Sequence, residues 1–307
     1  MIGFEKKSNN YSFGDILFYI IIYLLFAILT IACIYPFYFL IINTLTANDI
    51  SSKTAVLLLP QKLHVDNYIK ILRLNGLSDA LLISVARTII GASLTVFASA
   101  FLGYLFTKKE MWGRKFWYRF VIVTMYFNAG LIPWFITMLN LGLRNNFLAY
   151  ILPSIVAPFN IILVKTYIES TPQALQEAAQ IDGAGYFKIF VKVVWPLCVP
   201  ILATVAIFAA VGQWNSFTDT LLLMTNSRLY TLQFILYRYL SQASSLASIM
   251  RNSGASIGQS VSSLASSQTA QSVRMTVSVV VILPILLVYP FFQRYFVGGI
   301  IIGAVKG

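Results

Sequence analysis

The sequence predicts an all-α, polytopic membrane protein with six transmembrane helices. Three observations carry that prediction. Of the 307 residues, 58% are apolar and only 10% charged, against roughly a quarter charged in an ordinary soluble domain. Long apolar runs recur at 16–42, 79–106, 118–139, 147–168, 197–224 and 275–297, each near or above the ~20 residues that cross ~30 Å of hydrocarbon. The charges cluster between these runs. Together these features exclude a cytosolic enzyme, a disordered chain and a small secreted domain.

The first run, 16–42, is too long for a signal-peptide core and reads as a retained helix. Thr30-Ile31-Ala32-Cys33 looks faintly like a lipoprotein cleavage site, but the apolar segment continues past it to Ile42. The second run carries small residues at Thr88, Ala92, Thr95, Ser99 and Gly103. That spacing puts them on one helix face, suited to close helix packing within the chain or, less simply, between subunits. The third contains Phe127-Asn128-Ala129-Gly130-Leu131-Ile132-Pro133-Trp134. Glycine and proline so close together should bend or break the helix and leave backbone groups seeking polar neighbours. Pro153 and Pro158, near Asn160, predict a second irregularity in the fourth run. The whole chain, 1–307, reads as a single transmembrane domain.

Orientation follows from lysine and arginine in short loops. Lys108, Lys109, Arg114, Lys115 and Arg119 gather between runs two and three, with Glu110 as the local acid. Lys6 and Lys7 precede the first run, and Lys165, Lys188 and Lys192 surround the connection between runs four and five. The positive-inside rule makes both termini and both of these loops cytoplasmic. Segments 43–78, 140–146 and 225–274 then face outward. The net charge of +12 therefore reports loops beside anionic lipid rather than nucleic-acid binding.

Several chemistries find no support. Cys33 and Cys198 show no pairing pattern. His64 is the single histidine, and no metal-ligand cluster surrounds it. No Walker glycine loop is present, so the chain itself is expected to hold no ATP. Gly254-Ala255-Ser256-Ile257-Gly258 matches a nucleophile-elbow pattern. It lies in a Ser/Ala/Gly/Gln-rich loop, with no strand before it and no base to serve it. No catalytic residue and no metal site is expected. An ion-coupled secondary transporter would usually show carboxylates deep in its spans, and the apolar runs lack them.

The connection at 169–196 is the most informative segment. Ser170 or Thr171 can cap a helix start, and Pro172 suits a first turn. Good helix formers run from Gln173 to Ile181, Gly183 and Gly185 permit a turn, and Tyr186 to Val194 forms a second short segment before Pro196. This predicts a helix–turn–helix at the cytoplasmic surface. From the residues alone, an amphipathic interfacial helix is the simpler reading and a docking element the alternative. However, Glu177-Ala178-Ala179, followed by Asp182-Gly183-Ala184 and then Pro196, resembles the EAA loop of ABC importer permeases of the carbohydrate (maltose-type) branch. Val193 and Trp195 stand where that pattern has Ile and Leu. The C-terminal stretch from Gln293 to Gly307 resembles the terminal signature of sugar-importer permeases, with Gly298 where Lys is usual. Tyr35-Pro36-Phe37 at the end of the first run and Asn67-Tyr68 also fit. The resemblance spans nearly the whole chain and implies a type I ABC importer fold.

It further implies that Glu177, Ala178, Ala179, Asp182, Gly183, Ala184 and Pro196 form the ATPase-coupling site. ATP and Mg would be bound by two cytoplasmic ATPase subunits. A second, homologous permease subunit would complete the path, and an external solute-binding protein would deliver the solute. The setting would be a bacterial cell membrane. Within the spans, Asn128, Trp134, Gln213, Trp214, Asn215 and Phe217 are candidate path residues: amides match sugar hydroxyls, and rings can stack on sugar faces. Interhelical hydrogen bonding is the competing use for each. Arg87 and Asp219 form a candidate charge pair, with Arg274 as an alternative partner for Asp219. The outward loop carries Arg228, Arg238, Arg251 and Arg274 and no acid. Its first part, Leu229 to Tyr239, suits an interfacial or capping helix, and 241–272 is low-complexity. A long Ser-rich insert there resembles permeases for uronate-containing oligosaccharides, and the basic loop suits anionic ligands. A neutral oligosaccharide or a non-sugar solute is the alternative cargo.

Overall fold

The computed structural model describes residues 13–47, 58–72, 76–241 and 270–299. Lys6, Lys7, Arg251, most of the Ser/Ala-rich segment and the final residues from 300 lie outside them.

Helix α1 (Phe13–Leu45) passes straight through Pro36. The Tyr35-Pro36-Phe37 motif therefore does not end the span, because the helix runs on to a polar end where Asn43 and Thr44 are buried. A short helix α2 (Asp66–Leu72) follows, and there Tyr68 Oη and Thr44 Oγ1 lie 2.6 Å apart. Asn67, buried beside them, donates to the Thr44 carbonyl. Helix α3 (Leu77–Leu105) is the central span. Its small-residue face is buried at Ala92, Thr95, Ser99 and Gly103. A side chain at Gly103 would meet the Lys165 backbone at 3.1 Å, so this stripe serves close packing within the chain.

The third span is broken. Helices α4 (Arg114–Tyr126) and α5 (Leu131–Asn140) are bent by 120°. Asn128 accepts from the Gly130 N–H at 2.9 Å, which stabilises the break predicted from Gly130 and Pro133. So sharp a bend raises the question of a re-entrant loop. Contacts at the two ends answer it. Arg114 is tied to Thr107 beside the connection 169–196, whereas Asn145, just past α5, donates its N–H to Leu223. Leu223 lies beyond the C-terminal end of helix α9 (Val199–Asn215) and the connection 169–196 precedes its N-terminal end. The bent pair therefore crosses the thickness of the bundle.

The fourth run opens as 3₁₀ turns at Phe147–Tyr150 and Leu152–Ser154, then bends 45° into helix α6 (Pro158–Ser170). Helix α7 (Ala174–Ile181), helix α8 (Tyr186–Ile189), a widened π-type turn (Phe190–Val194) and Trp195–Leu197 lead into α9. The fifth run breaks at Ser216 and Phe217 before the short helix α10 (Thr218–Leu223). Helix α11 covers 232–241 and caps one end of the bundle, burying Leu232 and Leu236 with Leu77, Ala80, Trp214 and Val277. Helix α12 (Ala270–Gly299) packs along α9 and α1. Among the described residues, three helices are long and apolar enough to span a membrane alone, and up to six spans result when each bent pair counts as one. No residue in the most apolar stretch of α1 is buried within the chain. An all-round apolar helix so little covered is what lipid or a partner helix would solvate.

Candidate functional site

Two sites lie at different depths along α3 and α9. The first is a cleft of about 480 Å³ among α3, the 3₁₀ turns, α6 and α9. Its floor is a buried arginine. The Arg87 side chain is 2% exposed, and its Nη2 donates to Asp219 Oδ2 at 2.6 Å. Nη1 reaches Asp219 Oδ1 at 3.2 Å and the Ser216 carbonyl at 3.3 Å. Nε and Nη2 also donate to Gln213 Oε1 at 3.1 and 3.0 Å. Gln213 in turn donates through Nε2 to Ser154 Oγ at 2.6 Å and to the Tyr150 carbonyl at 3.1 Å. The guanidinium stacks 4.4 Å above the Tyr150 ring, a favourable cation–π arrangement. An isolated charge at this depth is costly, and this network compensates it on every side. Arg274 is not needed: Asp219 is engaged by Arg87.

The candidate path residues separate accordingly. Trp134 and Gln213 line the cleft. Asn128 instead stabilises the break in the third span. Trp214 turns to the opposite face, where its Nε1 donates to the Val281 carbonyl at 3.0 Å. Phe217 stacks on Tyr237 with centroids 4.7 Å apart, and Asn215 is exposed away from the cleft. A run of consecutive polar and aromatic residues on a helix points in every direction, so Gln213-Trp214-Asn215 could not all face one cavity. The cleft adds Tyr150, Ser154 and Asn160 from a different span. Asn160, beside Pro158, is only 7% exposed, and its polarity in an apolar run was the available signal.

The second site is the connection 169–196. Ser170 and Thr171 do not cap α7. Their hydroxyls donate backward to Tyr167 and Ile168, both at 2.7 Å, closing the end of α6 instead. Helix α7 ends in a Schellman motif. The Ala184 N–H donates to Ala179 at 3.0 Å, and the Gly183 N–H to Gln180 at 2.9 Å. Gly183 holds φ at +77°, a conformation that glycine alone adopts without strain. Ala179 and Ala184 press on a core of Tyr104, Ile168, Ile189 and Phe190. Trp195 joins that core, edge-on to Phe190 at 5.8 Å, so the large ring that replaces leucine is absorbed by packing. On the outer face Leu175 is 47% and Ile181 86% exposed, with Glu177, Ala178 and Asp182 exposed between them. Pro196 sits exposed at the entry to the fifth span. Lys108 Nζ donates to Gln176 Oε1 at 2.7 Å and lies over the Tyr104 ring. Burial lowers the Lys108 ammonium below the ordinary lysine range, and Glu110 partly restores it.

A polar cleft inside apolar spans, with a rigidly mounted helix exposed at their end, defines a multi-pass membrane transport subunit. The comparisons sharpen that class. Residues 95–302 match the family described as binding-protein-dependent transport system inner membrane components, and the chain belongs to that family. It is similar to the polygalacturonan/rhamnogalacturonan transport system permease protein YtcP of Bacillus subtilis (strain 168), with 32% identity over 95% of this chain and 99% of that one. It is also similar to the arabinooligosaccharides transport system permease protein AraQ of Halalkalibacterium halodurans, with 28% identity over 92% and 94%. Among solved structures, a chain of a bacterial ABC transporter involved in the import of the acidic polysaccharide alginate superposes with TM-score 0.82 at 27% identity. That match covers 93% of this chain and 99% of the other. The type I importer fold is thus shared.

Proposed function

We propose that this chain forms half of the translocation path for an acidic, uronate-containing oligosaccharide. An external binding protein delivers the sugar, a second homologous permease completes the path, and two cytoplasmic ATPase subunits hydrolyse ATP. Both termini and the α7 connection lie on the ATPase side of the cell membrane. The exposed face Leu175, Ala178 and Ile181, with Glu177 beside it, docks into the ATPase, and Glu177 pairs with a basic group there. One observation carries the reading: the cleft and the exposed helix share α3 and α9, so ATPase closure at α7 reaches the cleft through packed elements. Relatives whose names specify acidic polysaccharides support the choice of cargo, as does a buried cation in the cleft.

The experiment is ATP hydrolysis and uptake by the reconstituted complex, supplied with binding protein loaded with trigalacturonate or with a neutral arabino-oligosaccharide. Stimulation and uptake with trigalacturonate are expected. Activity with the neutral sugar alone would overturn the acidic assignment and leave the permease role intact. A neutral oligosaccharide is the second reading, because the relative AraQ is named for arabinooligosaccharides.

A further inference from the structure

The Arg87 network does more than hold two helices together. Every N–H of the guanidinium is engaged: Nε by Gln213, Nη1 by Ser216 and Asp219, and Nη2 by Gln213 and Asp219. A fully engaged guanidinium can accept a new carboxylate only by giving one up. Three of its five contacts are to groups held elsewhere. Gln213 is fixed from below by Tyr150 and Ser154, and Ser216 contributes main chain. Asp219 is held less firmly. Beyond Arg87 it accepts the N–H of the next residue, Thr220, on Oδ1 at 2.8 Å. It sits on α10, which is joined to α9 through the extended residue Ser216, and it is 13% exposed on the cleft side. Rotation of its side chain, giving up the Thr220 N–H, would release Arg87 without moving a span.

The charge balance of the cleft points the same way. Among the described residues lining it, Arg87 is the only base and Asp219 the only acid. The resting cleft is therefore neutral, and it becomes a site for one anion when Asp219 turns aside. The fork-shaped guanidinium matches a carboxylate with two parallel hydrogen bonds. The cleft volume of about 480 Å³ falls within the range of small-molecule sites. The Tyr150 ring beneath the guanidinium and the amides of Gln213 and Asn160 complete a lining suited to a sugar acid.

We propose that Arg87 is the carboxylate subsite of the translocation path, and that Asp219 occupies it until a uronate carboxylate of the passing oligosaccharide takes its place. The exchange keeps Arg87 paired with a carboxylate at every stage, while the displaced Asp219 carboxylate turns into the cleft, which then carries one net negative charge. It also makes the contact weak and transient, because each uronate competes with a tethered carboxylate. A neutral sugar gains nothing from the exchange and leaves the pair closed. This inference rests on the acidic-cargo reading above.

The test is equilibrium dialysis of the purified complex with labelled trigalacturonate and with its neutral trimethyl ester, alongside uptake in proteoliposomes. Asp219→Asn should tighten trigalacturonate binding about tenfold and leave the ester unchanged. Arg87→Gln combined with Asp219→Asn removes both charges, so no lone ion disturbs folding. It should bind trigalacturonate at least tenfold more weakly than wild type, again with the ester unchanged. Co-purification of the double variant with its partner subunits checks that it still folds and assembles. If it binds and imports trigalacturonate as wild type does, the pair is a structural staple and the subsite is refuted, while the acidic-cargo reading stands. If Asp219→Asn weakens trigalacturonate binding, the exchange is refuted. If wild type takes up only neutral sugar, the acidic-cargo reading falls and the subsite with it.

Discussion

At the scale of single residues, the cleft depends on an absence. Gly91 lies on α3 where a β-carbon would sit 2.5 Å from Gln213 Nε2 and 2.8 Å from its Cδ. Gln213 cannot swing away cheaply, because Arg87, Tyr150 and Ser154 hold both ends of its amide. Gly91→Ala should therefore destabilise the complex by about 1–3 kcal/mol, as overpacking of a tight interior does. It should also impair uptake, because the displaced amide no longer supports Arg87. Gly212 provides the control. It lines the same cleft, yet an added β-carbon there meets nothing within 4 Å, and it lies within helix α9. Gly212→Ala should match or exceed wild-type thermal stability, since alanine is the better helix former by about 1 kcal/mol. Thermal unfolding in detergent separates the two. Equal melting of Gly91→Ala and wild type would show that Gln213 is free to move.

At the scale of elements, α7 is mounted from behind and bare in front. Its inner side is held by Gln176 on Lys108, by Ala179 on the core and by the Schellman turn at Gly183. Proline at that turn would fix φ near −65° and remove an N–H. Gly183→Pro is thus expected to detach the helix from its mount and to abolish substrate-stimulated ATP hydrolysis while the complex still reaches the membrane. Glu177→Lys should also abolish that stimulation, by reversing an exposed charge on the bare face of the helix. Full stimulation in both variants would end the docking role. This element was legible in the sequence because its signals are local: a run of helix formers, a glycine at the turn, a proline at the exit. The same holds for the breaks at Gly130 and Pro158. The helix start was misread because a serine or threonine hydroxyl can bond backward as readily as forward. The cleft was legible only in part. Its residues come from α3, the 3₁₀ turns, α6 and α9, brought together across long stretches of chain, and no periodicity in one segment reports which face another segment will meet. Asn128 and Phe217 were good polar or aromatic signals, but they were spent on a turn and a ring stack.

At the scale of the whole molecule, the decisive question is whether the third span crosses. A bend of 120° is sharp enough to return a chain to the side it came from. The contacts oppose that, since α4 begins beside Thr107 at the end of α3 nearest the coupling connection. The segment after α5 bonds to Leu223, Thr225 and Asn226, beyond the far end of α9. Helix α9 has 17 residues, or about 25 Å at 1.5 Å per residue, so these two anchorages lie nearly a hydrocarbon thickness apart. The positive cluster Lys108, Lys109, Arg114 and Lys115 then marks one face of the membrane and Leu141 the other. Both Trp112 and Leu141 are well exposed, at 85% and 63%, and serve as reporters. In a background with Cys33→Ala and Cys198→Ala, a membrane-impermeant maleimide should label Trp112→Cys only in inverted vesicles and Leu141→Cys only in right-side-out vesicles. Labelling of both from one side would make α4 and α5 a re-entrant loop. It would leave five spans, put the termini on opposite faces and overturn the orientation assigned to the coupling helix. The reversed pattern, with Trp112→Cys labelled from outside, would keep the crossing but contradict the positive-inside assignment.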